Sequence, residues 1–198
     1  MPAGRYEQRK NGDTARRIVD VLYEKHGWYR EVINQVQQDT MLDPAVRRLA
    51  LQIAQSRKRE DREKLEREAW KVIVAPDRDV QTYRAVLEEV GKADTLEPNY
   101  PPILTTLGAG QYRVGSYENA MMTLTKVERI LSDAGEEPDP WNLAFKAMTL
   151  HKLGRLEDAK AALEQLRELT EDWQVGEAME DVQALQALLA EAEKLIIN

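Results

Sequence analysis

The chain has 198 residues, 42% hydrophobic and 32% charged, a balance that suits a folded domain of ordinary size and excludes a disordered chain. Its formal net charge of -7 disfavours bulk attraction to nucleic acid or to an anionic membrane surface. It has no cysteine, which excludes disulfides, thiolate nucleophiles and thiolate zinc sites within the chain.

Aromatic residues make up only 6%, with a single Phe. The strong helix formers Ala, Leu, Glu, Gln, Arg and Lys dominate, so the expected class is all-α. No apolar stretch of signal-peptide or membrane-spanning length appears, and the chain reads as soluble, untargeted and cytoplasmic. Residues 1–12 read as a frayed tail.

The first helix is expected from Asp13 or Thr14 to Lys25, with Ile18, Val19, Leu22 and Tyr23 on one face and Gly27 ending it. A short helix over Trp28 to Gln38 carries Val32, Ile33 and Val36. Asp43-Pro44 is an N-cap followed by the residue favoured at the first helical position. It opens a segment with Val46, Leu49, Ala50, Ile53 and Ala54 at helical spacing. Residues 56–68 (SRKREDREKLERE) place opposite charges three and four apart, as a solvated helix does. The apolar pattern resumes at Leu65, Ala69, Trp70, Val72 and Ile73. One long helix or two abutting helices both fit. Ala75-Pro76 stops that pattern. Asp79 caps a helix with Tyr83, Val86, Leu87, Val90 and Ala93 on its apolar face, ending near Leu96-Glu97-Pro98.

A repeat then becomes legible. One copy contains Leu104, Leu107-Gly108, Tyr112, Gly115-Ser116-Tyr117, Ala120, Leu124 and Val127. The next contains Leu143, Ala147, Leu150-His151, Gly154-Arg155-Leu156, Ala159, Leu163 and Leu166. The turn glycines Gly115 and Gly154 are 39 residues apart, and 133–140 punctuates the copies. A period of this length signals stacked helical pairs. Gly108 and Ala147 leave room for the helices of a pair to approach, and Ala120 and Ala159 are the small residues on the facing helix. Trp70 to Pro98 reads as a degenerate earlier copy whose turn, Ala75 to Arg78, lacks glycine. Val182, Leu185, Leu188, Leu189, Ala192 and Leu195 mark a last helix over 176–196. The organisation expected is a tail over 1–12, an N-terminal helical region over 13–98, two repeats over 99–170 and a capping helix.

Residues 100–170 resemble the tetratricopeptide repeat. The likeness is carried by Leu107, Gly108, Tyr112, Gly115, Tyr117 and Ala120, and by Ala147, Leu150, Gly154, Leu156 and Ala159. Gln111 stands where an aromatic is usual, and Ser132 and Glu171 replace the closing proline. The resemblance implies a right-handed superhelix of stacked antiparallel helix pairs. Over roughly residues 28–170 the segments PAVRR, EAWKVIV and TLGAGQYRVGSY look like a C-terminal repeat module of planctomycete proteins. In those proteins the module often follows a serine/threonine kinase domain or WD40 repeats. This implies a scaffold or docking role. It implies no kinase activity, because the chain has no Gly-rich phosphate loop and neither a His-Arg-Asp nor an Asp-Phe-Gly set.

Catalytic patterns are lacking. His26 and His151 each sit at an expected helix end, where an imidazole contacts the last carbonyls or faces water. No His-Glu-x-x-His and no calcium-loop spacing occurs, and Gly108-Ala109-Gly110 follows no strand. Ser116 reads as an N-cap. No catalytic residue, metal or cofactor is expected. Trp70 belongs to a core face, Trp141 wedges against the preceding pair, Trp173 seals the junction with the last helix, and Trp28 is partly exposed.

The remaining expectation is a non-enzymatic interaction module. Exposed residues of the first helix of each pair would line a concave groove. These are Thr105, Gln111, Tyr112 and Arg113 in one copy and Asn142, Lys146, Thr149 and Lys152 in the other. Arg113, Lys146 and Lys152 would make that groove locally basic and suited to an acidic protein segment or a C-terminal carboxylate. Self-assembly through the same surfaces, giving a homo-oligomer, is the alternative.

Overall fold

The computed structural model describes residues 3–96, 98–173 and 179–197. Among them every regular element is an α-helix: α1 (Ala3–His26), α2 (Tyr29–Gln38), α3 (Pro44–Ser56), α4 (Lys58–Ile73), α5 (Val80–Leu96), α6 (Pro101–Arg113), α7 (Tyr117–Ala134), α8 (Pro140–Lys152), α9 (Leu156–Trp173) and α10 (Met179–Ile196). No described helix is long and apolar enough to cross a membrane. Backbone contacts divide the chain into Met1–Leu65 and Glu66–Asn198, so the division falls within α4.

In the first unit, α1, α2 and α3 pack together around Ala15, Val19, Val32, Val36, Val46, Ala50 and Ala54. Small and β-branched residues at i, i+4 spacing form the seams, so the helices approach closely. The expected tail is helical from Ala3. The segment is rich in Arg, Glu, Gln and Lys, and helix propensity carries the first turns outward. Thr14 does not cap: its hydroxyl donates to the Lys10 carbonyl four residues back, inside the helix. Gly27 ends α1 with a φ of 70°, and Asp43 caps α3 by accepting from the Ala45 and Val46 amides. At 56–58 the outcome is two abutting helices, because Arg57 leaves the α3 ladder and its amide bonds to Ala54 O. The Arg57 guanidinium pairs with Asp20 and lies over the Tyr23 ring, 4.6 Å from its centroid. Asp61 accepts from the Tyr29 amide at 2.6 Å and from the Tyr23 hydroxyl at 3.1 Å, which satisfies one of the free amides at the N-terminus of α2. Burial raises its carboxyl pKa even against these bonds and the nearby Arg57 charge.

The second unit repeats itself with a fixed period. α6 and α8 each have 13 residues, and α7 and α9 each have 18. Pro101 and Pro140 open the first helix of each pair, and Gly115 and Gly154 turn it with φ of 81° and 76°. Both offsets are 39 residues. α6 packs on α7 and α8 on α9, as expected from the pattern, while α6, α8 and α10 touch in succession. Gly108 is where α6 meets α7: a Cβ built there would lie 2.7 Å from Leu124 Cδ2. Ser116 stands at the N-cap of α7, but its hydroxyl accepts from Asn119 Nδ2 and makes no bond to the backbone.

The turn before α5, which lacks glycine, places Asp77 at a φ of 65°. Tyr83 closes it, donating to Ala75 O at 2.7 Å and accepting from the Arg78 amide at 3.1 Å. Asp79 caps α5 through the Thr82 amide. Trp70 and Ile73 join the core of this unit. The Trp70 ring meets Trp141 edge-on at 5.1 Å and Phe145 at 6.1 Å, so Trp141 wedges against α4. Of the last helix, Leu185, Leu188, Ala192 and Ile196 are buried against α8 and α9. The expected start of that helix at 176 and the seal assigned to the Trp173 side chain lie outside the described residues.

Candidate partner-binding groove

The period of 39 places equivalent side chains in equivalent positions, but the first helices of the pairs are enclosed, and the expected exposure of several contacts is corrected. Thr105, Asn142 and Thr149 are at most 3% exposed and Tyr112 is 8% exposed. The reason is that α6 packs between α5, α7 and α8, while α8 touches α6, α7, α9 and α10. The donors of Thr105, Asn142 and Thr149 have structural partners, whereas Asn142 Oδ1 is buried without one among the described residues. Thr105 donates to Asp139 at 2.9 Å, Thr149 donates to Phe145 O at 2.6 Å, and Asn142 donates to Leu124 O at 3.2 Å. Tyr112 packs on Phe145 and Tyr117, and burial raises its hydroxyl pKa. Gln111 is half-buried and accepts from the Thr123 hydroxyl.

Arg113 is also committed. Its side chain is 7% exposed and forms a bidentate pair with Glu191 of α10. Its Nε donates to Ile73 O at 3.0 Å and its Nη2 to Val74 O at 3.2 Å, which satisfies carbonyls at the end of α4. The expected basic lining is therefore reduced. Arg113 is neutralised by Glu191, and Lys146 lies 2.6 Å from Glu128. Lys152 is exposed.

Asp139 shows how the pairs are joined. It caps α8, accepting from the Trp141 amide, and accepts from Thr105 of the preceding pair. Burial raises its carboxyl pKa although these bonds oppose the shift.

No protein-family model, curated protein or solved structure matches the chain.

The open surface lies on the second helices. A groove of about 900 Å³ runs between α7 and α9 with α8 as its floor. Met121, Met122, Leu150, Leu153 and Ala161 supply apolar surface, and Met122 is 64% exposed. Lys126, Arg129, Lys146 and Arg155 line it as cations and Glu118 and Asp158 as anions. Arg155 pairs with Asp158 and Lys146 with Glu128, whereas Lys126 and Arg129 have no acidic partner among the described residues. Of the contacts expected from sequence, only Lys146 lines this groove. The residues missed had one signal. In α7 the buried stripe is Ala120, Leu124, Val127 and Leu131, and Met122 is a large apolar residue off that stripe.

His26 and His151 each end or nearly end a helix as expected, and no described cluster of His, Asp and Glu could hold a metal ion.

Proposed function

We propose that this chain is a protein-binding scaffold built from tetratricopeptide-like helical pairs, with α10 capping the stack in a right-handed superhelix. The observation that carries the binding role is the open α7–α9 groove, where exposed Met122 shares the α7 wall with the unneutralised cations Lys126 and Arg129. Exposed apolar surface rimmed by charge is the usual mark of a protein-binding site. The two equal-length helix pairs and their glycine turns support the repeat reading. Binding is proposed on the second helices, because Thr105, Asn142 and Thr149 of the first helices are enclosed. A role beside a signalling enzyme is the setting suggested by the likeness of residues 28–170 to planctomycete repeat modules.

A photo-crosslinking residue at Met122 tests this in the source cell, with Gln186 on the exposed face of α10 as control. Discrete adducts at Met122 and none at Gln186 support the groove as the contact surface. Equal labelling at both positions counts against it, and an adduct of twice the chain mass assigns the groove to self-assembly.

A further inference from the structure

We infer that the α7–α9 groove takes an acidic amphipathic α-helix, an inference that rests on reading this groove as the binding surface. Its length suits a helix. α7 has 18 residues and is therefore about 27 Å long at 1.5 Å per residue. The apolar groove shares Lys146 and Gln165 with a second, more polar cavity of about 540 Å³ that reaches Gly135 and Pro138 at the end of α7. The two together follow most of the helix; Glu128, Glu136 and Asp139 line the second, so the match to an acidic face is confined to the first and an occupant's far end would be uncharged or basic.

The chemistry of the lining also favours a helical occupant. An extended peptide lying on Met121, Met122, Leu150 and Leu153 would press its amides and carbonyls against side chains that cannot bond them. The walls are helices whose backbone groups are already paired, so they offer no strand edge. A helix brings its backbone bonds with it and presents apolar residues at i, i+3, i+4 and i+7. Methionine adapts to such a face because its side chain is flexible and polarizable.

Charge selects the sign of the occupant. Lys126 and Arg129 stand three residues apart on α7, so they lie on neighbouring turns of the same wall. Neither has an acidic partner among the described residues, while the other two cations of the lining are paired. Carboxylates spaced three or four apart on the occupant match this wall. The chain as a whole carries -7, which opposes the approach of an acidic partner elsewhere on the surface and leaves this local positive strip as the place that attracts it.

The test uses the full chain and a fluorescein-labelled 18-residue synthetic peptide with a leucine stripe at helical spacing flanked by glutamates. Fluorescence anisotropy compares wild type with a Lys126→Glu, Arg129→Glu double variant, both positions being unpaired, and thermal melts check that both chains are folded. The acidic peptide is expected to bind wild type about tenfold or more tightly than the variant, with affinity falling as salt rises. A lysine-flanked counterpart is expected to show the reverse preference. Equal binding of the acidic peptide to both chains overturns the inference, as does equally tight binding of a proline-interrupted acidic peptide. A dimer dissociated by Met122→Asp but not displaced by the acidic peptide would instead assign the groove to a second copy. Adducts at Met122 without acidic-peptide binding would refute the acidic helix and leave the groove as a binding surface. Failure of both experiments would refute both readings.

Discussion

Arg113 of α6 and Glu191 of α10 are 78 positions apart in the chain and share a bidentate ion pair, with Nη2 at 2.9 Å from Oε2. The same guanidinium holds the carbonyls of Ile73 and Val74 and lies 5.2 Å from the centre of the Phe145 ring. One side chain thus joins α4, α6, α8 and α10. Removing it leaves a carboxylate and two carbonyls without their donor. Arg113→Ala should cost about 3 kcal/mol, the range for breaking a largely buried pair. Glu191→Gln keeps an acceptor for the guanidinium and leaves both carbonyls satisfied, so it should cost about half as much. Urea denaturation of both variants checks the ranking, and equal losses would mean that the carbonyl contacts contribute nothing.

Two glycines in helix interiors should respond to alanine with opposite signs. Gly91 in α5 has nothing within 4 Å of a built Cβ, so Gly91→Ala should stabilise by up to about 1 kcal/mol through helix propensity. Gly108→Ala would place its methyl 2.7 Å from both Cγ and Cδ2 of the fully buried Leu124. It should destabilise by about 1–3 kcal/mol, because overpacking outweighs the propensity gain. Thermal melting of the two variants measures both signs.

Asp139 gives a pH dependence whose direction follows from its raised carboxyl pKa. The folded chain holds this proton more tightly than the unfolded chain does, so this group's contribution is fully present below the ordinary carboxyl value near 3.8. That contribution is lost as pH rises through the higher folded value. Asp139→Asn removes the titration and keeps an oxygen to cap α8. The variant should therefore gain stability relative to wild type between about pH 4 and pH 7. Chemical denaturation across that range checks it, and a constant difference would show that Asp139 does not titrate abnormally.

In the first unit, Asp61→Ala removes the acceptor for the Tyr29 amide and the Tyr23 hydroxyl. A loss of about 1–3 kcal/mol is expected for these partly buried donors. Hydrogen exchange at the Tyr29 amide should quicken, whereas amides in α8 should keep their wild-type rates. Unchanged exchange at Tyr29 would mean that Asp61 does not hold the start of α2.

Local signals in the chain were enough to place most helices. Asp43-Pro44, Gly27, Gly115 and Gly154 each mark an end through side-chain capping or a left-handed turn, which depend on neighbours in sequence. The paired helices of 101–134 and 140–173 follow from a period of 39 for the same reason. Helix signals failed at Ala3–Thr14, where a good cap residue sat inside a longer run of helix formers.

Which surface stays open was not legible in this way. Thr105, Asn142 and Thr149 are polar residues on first helices, and polarity alone suggested exposure. Packing on several sides enclosed them, and hydrogen bonds to Asp139, Leu124 and Phe145 made that burial tolerable. Arg113 looked like a free cation until Glu191, from the far end of the chain, came beside it. The sequence by itself determined the all-helical class, several helix ends such as Asp43 and Gly27, and the 39-residue offset of two helix pairs, because these rest on interactions within a few residues or on periodicity. Which faces remain open was decided by tertiary structure, because burial and ion pairing depend on residues that only folding brings together.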